Sequence, residues 1–403
     1  MSVLTRIAAC GLILCCASAC VTSQPASTTR PAAGLEPGEA EARQRTTSAT
    51  MPTTFSSPAV EVRGVWLASR DMTAPRDELI KKLDRLKAAN FNTVLIDTYF
   101  RGYVAYPGGA FVPQFPDFNG QDVLGWLIDE CDKSGLEAHL WMEYGFYAYF
   151  TPDATKDPSM GAILDAHPDL LSVDADGTRF IHRTFGDFYS MCPSNPKSHQ
   201  ILADVFAEAV RKYPKANGVN LDRIRYAAGN YCYCNYCKEH FPKDTGIELR
   251  KFAERSPQAK RFLDWKRERT AKAVETIASA VRAAKPGMKV TSYVVGPEEM
   301  DDKAQGWDLW MKRGLLDAVA VSMYGADVRD AAERAIELLG PSRDKLICAI
   351  ASGQKSEVYL TNVELSRGLG AIGQYTWHWG DVFDDLDALR RGPYATPAKS
   401  PVE

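Results

Sequence analysis

Three cysteines stand close together in the sequence CYCNYC, at Cys232, Cys234 and Cys237, and a fourth, Cys192, lies upstream in MCPSNP (191–196). Four thiolates can hold a structural zinc ion in tetrahedral geometry, and two ligands separated by two residues form the usual turn-shaped half of such a site. The spacing therefore predicts a zinc site that clamps two long loops. It does not indicate which reaction occurs nearby.

Disulfide bonds are the alternative chemistry for the same cysteines. The N-terminus predicts export, and exported proteins meet an oxidising compartment. The pairs Cys234–Cys237 and Cys192–Cys232 are one such arrangement. His240, three residues after Cys237, is a substitute zinc ligand if Cys192 lies too far away.

Carboxylates and aromatic side chains recur where short apolar runs end. This combination suits carbohydrate, because aromatic faces stack on sugar rings and paired carboxylates supply acid, base or nucleophile. The candidate catalytic residues are Asp222, Glu143 and Asp327. The candidate substrate-binding residues are Trp66, Tyr99, Trp141, Tyr144, Arg225, Tyr226, Tyr324, Trp377, His378 and Trp379.

Each candidate acid also has a structural interpretation. Asp222 could form an ion pair with Arg225, and Glu143 could bind a sugar hydroxyl or pair with an arginine. Asp327 could cap the helix predicted to begin near residue 328, since Asp is a favoured N-cap. Asp97, at the end of the second apolar run, is a weaker catalytic candidate.

The apolar runs alternate with amphipathic stretches from residue 61 onward, which indicates a parallel sheet with crossover helices. The eight runs are 62–69, 93–100, 137–146, 218–226, 289–295, 318–325, 345–352 and 371–379. Eight such units predict an α/β fold of the (β/α)8 TIM-barrel type. Long inserts follow strand 3 (147–197) and strand 4 (227–245), at the face where active sites of this fold are built.

The first twenty residues predict a lipoprotein signal peptide. Arg6 precedes an apolar run, 7–16, that is short for a membrane span, and ASAC (17–20) then places small residues before Cys20. We expect Cys20 to be lipidated and to anchor the chain to a membrane of the cell envelope, facing the periplasm or in the outer membrane of a Gram-negative cell. An ordinary signal peptide is the alternative.

The rest of the chain divides by composition. Residues 21–58 are rich in Ser, Thr, Pro and Ala, so we expect a disordered tether. The barrel domain is predicted to span 59–395, and a disordered tail 396–403.

Charge and motifs exclude several classes. The formal charge is −3 and the pI about 6.1, and we expect no nucleic-acid partner. No dinucleotide, P-loop, zincin or nucleophile-elbow motif is present in the sequence, so we expect no organic cofactor.

Several motifs in this order resemble the glycosyl-hydrolase-like 10 family of bacterial, often lipoprotein, TIM-barrel enzymes. They are EVRGVWL (61–67), ANFNTV (89–94), GLEAHLW (135–141), PSNP (193–196) and LDRIRY (221–226). The resemblance extends over residues 60–390. It implies hydrolysis of glycosidic bonds, with cell-wall glycan strands as one known substrate class. It points to Asp222 as the strand-four carboxylate.

The chain departs from that pattern at strand three, where MEY (142–144) replaces an Asn-containing motif and leaves the partner of Asp222 open. The cysteine cluster is similar instead to the zinc site of glycoside hydrolase family 42 β-galactosidases. In that family a Cys-Pro-Asn-Ser-Pro-like segment precedes a C-x-C-x-x-C. Its Asn-Glu acid/base pair is absent here, because Asn220-Leu221-Asp222 stands in its place.

The sequence therefore predicts a membrane-tethered glycoside hydrolase that acts on a polysaccharide by carboxylate acid/base catalysis. A non-catalytic glycan-binding lipoprotein is the alternative, because AIAS (349–352) on strand seven offers no carboxylate. A metal-dependent hydrolase such as a polysaccharide deacetylase is a weaker option, since a His-rich ligand set is missing from the sequence.

Overall fold

The computed structural model describes residues 54–325 and 327–402. Its strands are, in chain order, β1 (Val62–Leu67), β2 (Thr93–Phe100), β3 (Tyr103–Val104), β4 (Glu137–Met142), β5 (Tyr147–Thr151), β6 (Ile181–Arg183), β7 (Gly186–Ser190), β8 (Gly218–Leu221), β9 (Lys289–Val294), β10 (Ala318–Ser322), β11 (Leu346–Ala351) and β12 (Gly373–Trp377).

Eight of these strands close into a parallel ring. The order around it is β1, β2, β4, β8, β9, β10, β11 and β12, and β12 pairs with β1 again. The predicted (β/α)8 barrel is confirmed, and each predicted strand contains an observed one. The third and fourth strands end earlier than predicted, at Met142 and Leu221, because the chain leaves the hydrogen-bonded ladder there and enters the two inserts.

Helices cover the outside of the ring. They are α1 (Arg76–Ala88), α2 (Val123–Ser134), α3 (Ala162–Ala166), α4 (Pro196–Lys212), α5 (Asn235–Thr245), α6 (Pro257–Ala284), α7 (Met300–Lys303), α8 (Trp307–Lys312), α9 (Arg329–Leu339), α10 (Ser356–Gly368), α11 (Trp379–Val382) and α12 (Leu386–Arg391). Short 3-10 turns occupy Pro116–Phe118, Pro168–Leu170 and Gly340–Lys345. Among the described residues, no helix is both long enough and apolar enough to pass through a bilayer.

The inside of the barrel combines large aromatic rings on one side with small residues on the other. Trp66 on β1 lies at the centre, and its Nε1 donates to Asn220 Oδ1 at 3.3 Å. Alanines such as Ala320 and Ala349 on β10 and β11 leave the volume that the rings fill. Gly64 is also required, because a Cβ there would lie 2.5 Å from the Tyr375 ring.

The insert after β4 folds as a small sheet of its own. Its strands β5, β7 and β6 pair antiparallel in that order. A long insert at this position was predicted, and its regular structure explains how more than forty residues remain ordered beside the barrel.

The C-terminal segment differs from the expectation of a disordered tail at 396–403. Lys399 donates its N–H to Ala59 O at 2.9 Å and accepts from Glu61 N at 2.8 Å, and Val402 is buried. Arg63 Nη1 also donates to Thr396 O at 2.7 Å. Composition did not indicate this because the attachment is made by backbone groups. Glu403 lies outside the described residues.

The N-terminal predictions fall largely outside the described residues. These are the signal peptide, lipidation at Cys20 and the tether as far as residue 53. The last residues of the predicted tether contact the barrel, since Arg367 Nη1 donates to Ser56 O at 2.6 Å.

Candidate active site

Two predicted acids come from neighbouring strands at the C-terminal mouth of the barrel. The last registered pair between β4 and β8 is Met142 with Leu221, so Glu143 and Asp222 are the next residues on the two strands. The chain turns at Gly145, with φ +46°, where a Cβ would lie 2.4 Å from Asp222 O. Only glycine allows this close approach.

Both acids point to the inside of the barrel. Trp141 and Asn220, which stand two residues before the acids on their strands, form a registered pair. Both contact Trp66 in the interior of the barrel. Because side chains alternate along a strand, Glu143 and Asp222 share that face one layer higher. Glu143 is 7% exposed and Asp222 4% exposed.

A third acid, Asp97, lies beneath Glu143. It is registered with Trp141 and is fully buried, and its Oδ2 accepts from Ser69 N at 3.1 Å. Asp97 Oδ1 is buried and receives no hydrogen bond from the described residues, and Glu143 is the carboxyl that acts most strongly on Asp97. Two ionised carboxylates can only accept hydrogen bonds, so this arrangement favours a proton on one of them.

That proton belongs chiefly to Asp97. Burial, and then the neighbouring Glu143 carboxyl, raise the pKa of Asp97 well above its ordinary 3.8, while the hydrogen bonds from Ser69 oppose the shift. The sequence ranked Asp97 low because neither its burial nor its neighbour is visible there. What the sequence does show is that Asp97 lies near the end of a predicted strand.

Asp71, in the loop after β1, was missed in the sequence. Burial raises the pKa of Asp71, and Glu143 adds to the shift, while Arg70, His378 and Lys82 oppose it. Arg70 Nε lies 3.7 Å from its Oδ2. No motif marks this loop, so only the three-dimensional structure brings Asp71 to the mouth.

His378 is held in a fixed orientation at the opposite strand end. Its Nδ1 accepts from Gly380 N at 2.8 Å, and its Nε2 lies 3.5 Å from Asp381 Oδ2. Its ring lies 5.2 Å from that of Trp377. The predicted residue thus reaches the mouth beside an aromatic floor.

The floor is a set of rings around Trp66. Trp141, Trp377 and Tyr293 lie 5.6–6.3 Å from it, and Tyr324 stacks on Tyr293 at 6.0 Å. The four predicted members, Trp66, Trp141, Tyr324 and Trp377, therefore come together. Tyr293 was missed, although its inward position on β9 follows from strand alternation.

Tyr144 links the mouth to the insert. Its ring lies between the guanidinium groups of Arg101 at 4.7 Å and Arg223 at 4.9 Å, and it stacks on Phe188 at 5.7 Å. Its hydroxyl accepts from Arg101 Nη2 at 2.8 Å. Because Arg223 Nε donates to Glu143 O at 3.1 Å, this stack supports the backbone of the acid.

Three predicted binding residues lie away from the mouth. Tyr99 is buried among the helices, because an irregularity in the β2–β4 register follows Asp97. Trp379 is buried and packs on Phe383 at 5.2 Å. Tyr226 is buried beside the cysteines. Each of these rings serves the packing of the barrel.

The remaining two candidates differ in exposure. Asp327 is exposed, and its Oδ1 accepts from Arg329 N at 2.8 Å where α9 begins, which matches its structural interpretation. Arg225 is buried in the segment after β8.

The four cysteines form a compact buried cluster. Their Sγ atoms lie within 4.8 Å of one another, with Cys192–Cys237 at 3.5 Å and Cys234–Cys237 at 3.8 Å, and all are free thiols. A tetrahedron with metal–sulfur bonds of about 2.3 Å has sulfur–sulfur edges of about 3.8 Å. The cluster therefore fits a tetrahedral metal ion.

The thiols also share charge. Burial raises the pKa of Cys192. Burial acts in the same direction on Cys232, but hydrogen bonds from Cys192, Cys234 and Cys237 outweigh it and hold the pKa of Cys232 well below 9.0. His240 is engaged elsewhere, since its Nδ1 lies 2.9 Å from Tyr236 O. The donor set is therefore four sulfurs.

The cluster is connected to the segment that carries Asp222. Tyr226, four residues further along, places its hydroxyl 2.5 Å from Ser194 Oγ, and Cys237 Sγ donates to the same Ser194 Oγ at 3.4 Å. The cysteines thus brace the loop that leaves β8.

Asp97→Asn should change how stability depends on pH. Between pH 3.8 and its raised pKa, the folded protein keeps a proton on Asp97 that the unfolded chain has lost, so the free energy of unfolding falls as pH rises. Asn removes this dependence while keeping a hydrogen-bond donor. In urea unfolding measured from pH 4 to 8, the free energy of unfolding of the variant should rise relative to that of the wild type by up to about 1.4 kcal/mol per pH unit.

The matched control is Asp327→Asn, at an exposed acid. Its curve should run parallel to that of the wild type. A parallel curve for Asp97→Asn as well would contradict a retained proton at Asp97.

Comparison with known proteins gives one family. The model of the family described as glycosyl hydrolase-like 10 matches residues 61–347. Glycosyl hydrolase DigH of Escherichia coli K12 is 24% identical over 392 residues, covering 86% of this chain and 81% of the relative. Glycosyl hydrolase YngK of Bacillus subtilis is 22% identical over 305 residues, covering 66% and 54%.

Among solved structures, the catalytic domain of a β-amylase from Paenibacillus polymyxa superposes with a TM-score of 0.58. The identity is 13%, and the match covers 82% of this chain and 95% of the other. This likeness supports the barrel fold alone. The family match, which extends over most of the barrel, confirms the resemblance seen in the motifs: the chain belongs to the glycosyl hydrolase-like 10 family.

Proposed function

We propose that this protein is a glycoside hydrolase that cleaves a polysaccharide at the barrel mouth. The observation that carries the proposal is the placement of Glu143 and Asp222 side by side at the ends of β4 and β8, above an aromatic floor. Membership of the glycosyl hydrolase-like 10 family supports it. The rings and the acids together match the needs of sugar binding and cleavage.

The register argues for a retaining mechanism. Neighbouring strands lie about 4.8 Å apart. Met142 and Leu221, registered just before the two acids, are such neighbours, so we propose the retaining mechanism, whose carboxyls lie about 5–5.5 Å apart. Inverting enzymes need a larger gap that admits a water molecule.

The two acids take different roles. Glu143 acts as the general acid and then as the general base, with Asp97 beneath it as a second carboxyl that favours the protonated form. Asp222, the buried acid at the end of the neighbouring strand, is assigned the role of nucleophile.

The steps follow from these roles. An Asp222 carboxylate oxygen attacks the anomeric carbon as the bond to the leaving oxygen breaks, and that oxygen takes the proton from Glu143. Water then attacks the anomeric carbon, its proton returns to Glu143, and the bond to Asp222 breaks. Asp97, fully buried beneath Glu143, favours its protonated form and so adds no second negative charge beside the general acid.

The carboxylate variants test the proposal. Asp222→Asn should lower turnover by at least about 10³-fold, and Glu143→Gln by about 10²–10⁴-fold, because each removes a group that acts in the transition state. Asp327→Asn, a matched rim acid, should keep wild-type turnover. Circular dichroism should show all three folded.

The assay is digestion of a glycan panel with products read by mass spectrometry, beginning with peptidoglycan glycan strands, the substrate class implied by the family resemblance. NMR of the first product should show a retained anomer. Wild-type activity in Asp222→Asn would remove Asp222 from the mechanism. Binding of glycans without any product from the wild type would favour the non-catalytic alternative.

We also propose that the four cysteines hold a structural zinc ion. Zinc would supply no chemistry to the sugar, and its part is to fix the loop between Asp222 and Cys237. The sulfur–sulfur distances and the complete burial of the set support this. Tetrathiolate coordination also explains why four free thiols are gathered in one place.

Protein purified without chelator or reductant should contain about one zinc per chain by mass spectrometry, and Cys237→Ser should lose most of it. Cys131→Ala is the matched control, at a buried lone thiol whose pKa burial raises to about 12. Wild-type protein with no zinc, and with thiols lost to disulfides, would contradict the zinc proposal.

We also propose that the protein is attached to a membrane through Cys20. The ASAC sequence at 17–20 supports lipidation of Cys20 and attachment to a membrane of the cell envelope. In the native host, the full chain should appear in the membrane fraction, and Cys20→Ala should shift it to the soluble or uncleaved form. Equal membrane recovery of both would contradict a lipid anchor at Cys20.

A further inference from the structure

A buried lysine lies beside the cysteine cluster. Lys266, in α6, is 3% exposed, and its Nζ donates to Tyr231 O at 3.0 Å and to Gly229 O at 3.2 Å. Its ammonium lies 4.8 Å from the Phe262 ring and 5.2 Å from the Tyr226 ring. Lysine is almost never buried unless something compensates its charge.

The hydrogen bonds of Lys266 do not supply that compensation. Both acceptors of its hydrogen bonds are neutral carbonyls. Burial lowers the pKa of Lys266 to about 8, and Asp302, Cys237 and Cys232 oppose this shift. Asp302 is half exposed and lies 3.1 Å from Lys303, so it is already engaged with another cation. The buried negative groups that favour the charge of Lys266 are therefore the cysteines, and its ammonium is hydrogen-bonded to the carbonyl of the residue just before Cys232.

The cysteines need a cation in turn. Four thiolates around a divalent ion carry a net charge of −2, and burying such a charge without a counter-charge is costly. The N-terminus of α5, which begins just after Cys234, supplies part of the compensation through its peptide dipoles. Lys266 brings an ammonium group to the segment just before Cys232.

We propose that Lys266 is a positioning residue of the metal site, which balances the charge of the metal tetrathiolate and ties residues 229–231 to α6 just before Cys232. This inference rests on the proposed zinc site. It explains why a lysine, and not an apolar residue, occupies the space between Tyr226 and Phe262. Partners outside the ligand shell commonly change metal affinity by about 10–100-fold.

The two functions of Lys266 can be separated by substitution. Lys266→Met removes both the charge and the hydrogen bonds, but it fits the apolar walls. Lys266→Gln keeps a donor for the two carbonyls and removes the charge. Lys266→Arg keeps the charge. Lys260→Met, at an exposed lysine of the same helix, is the matched control.

The experiment measures zinc content and the rate of zinc transfer to a chromophoric chelator at pH 7. Lys266→Met and Lys266→Gln should release zinc at least about tenfold faster than the wild type. Lys266→Arg should restore slow release, and Lys260→Met should match the wild type. Circular dichroism before chelation gives the folded fraction of each protein.

Slow, wild-type-like release from folded Lys266→Gln would overturn the charge-balancing role. If Lys266→Met does not fold, the comparison of Gln with Arg still decides, because the two differ in charge at the same position. Wild-type protein without zinc would overturn this inference together with the zinc proposal. Wild-type protein that contains zinc, with variants that release zinc at the wild-type rate, would overturn this inference alone.

Discussion

The burial of Asp97 beneath Glu143, which raises the pKa of Asp97 well above 3.8, sets the charge pattern of the barrel mouth. Three acids, with Asp222 as the third, converge where little solvent reaches them. Three negative charges in such a place would repel one another strongly, and like charges in one site favour the neutral form of one member. Protonation of Asp97 would lower the repulsion, and the proposed mechanism then gives the other two acids opposite tasks, with Glu143 giving a proton and Asp222 supplying a lone pair.

The second constraint is the support of the loop that follows Asp222. This segment is irregular, and an irregular loop does not hold a side chain in place by itself. On one side, Gly145 lets the chain after Glu143 press against the backbone of Asp222. On the other, the hydroxyl of Tyr226 reaches the cysteine cluster through Ser194. A metal ion among the cysteines, with Lys266 as counter-charge, would complete this support.

The fold could be predicted from the sequence because its signals are local. Runs of β-branched residues alternate with amphipathic helices, and the eightfold count leaves few topologies. The neighbouring positions of Glu143 and Asp222 also followed, since consecutive barrel strands are adjacent. The importance of Asp97 did not follow, because it depends on burial beneath Glu143 and on an irregular register after it. Asp71 was missed because it sits in a loop without a motif.

Other positions depend on the same kind of contact. Tyr99 and Trp379 are predicted to bind substrate, and in the structure both rings are buried in the hydrophobic core. A disordered tail is predicted at 396–403, and in the structure Lys399 forms a bridge with Val60. In each case the position of the residue depends on a contact between distant parts of the chain, which no local sequence pattern predicts.

The most direct measurement of the central claim is a carboxyl ¹³C NMR titration of the protein labelled at Asp and Glu, with Asp97→Asn used to assign the signal. The account predicts that Asp97 keeps the chemical shift of a protonated carboxyl at pH 7. An Asp97 signal that titrates near 3.8 would contradict the raised pKa of Asp97 and the division of roles built on it.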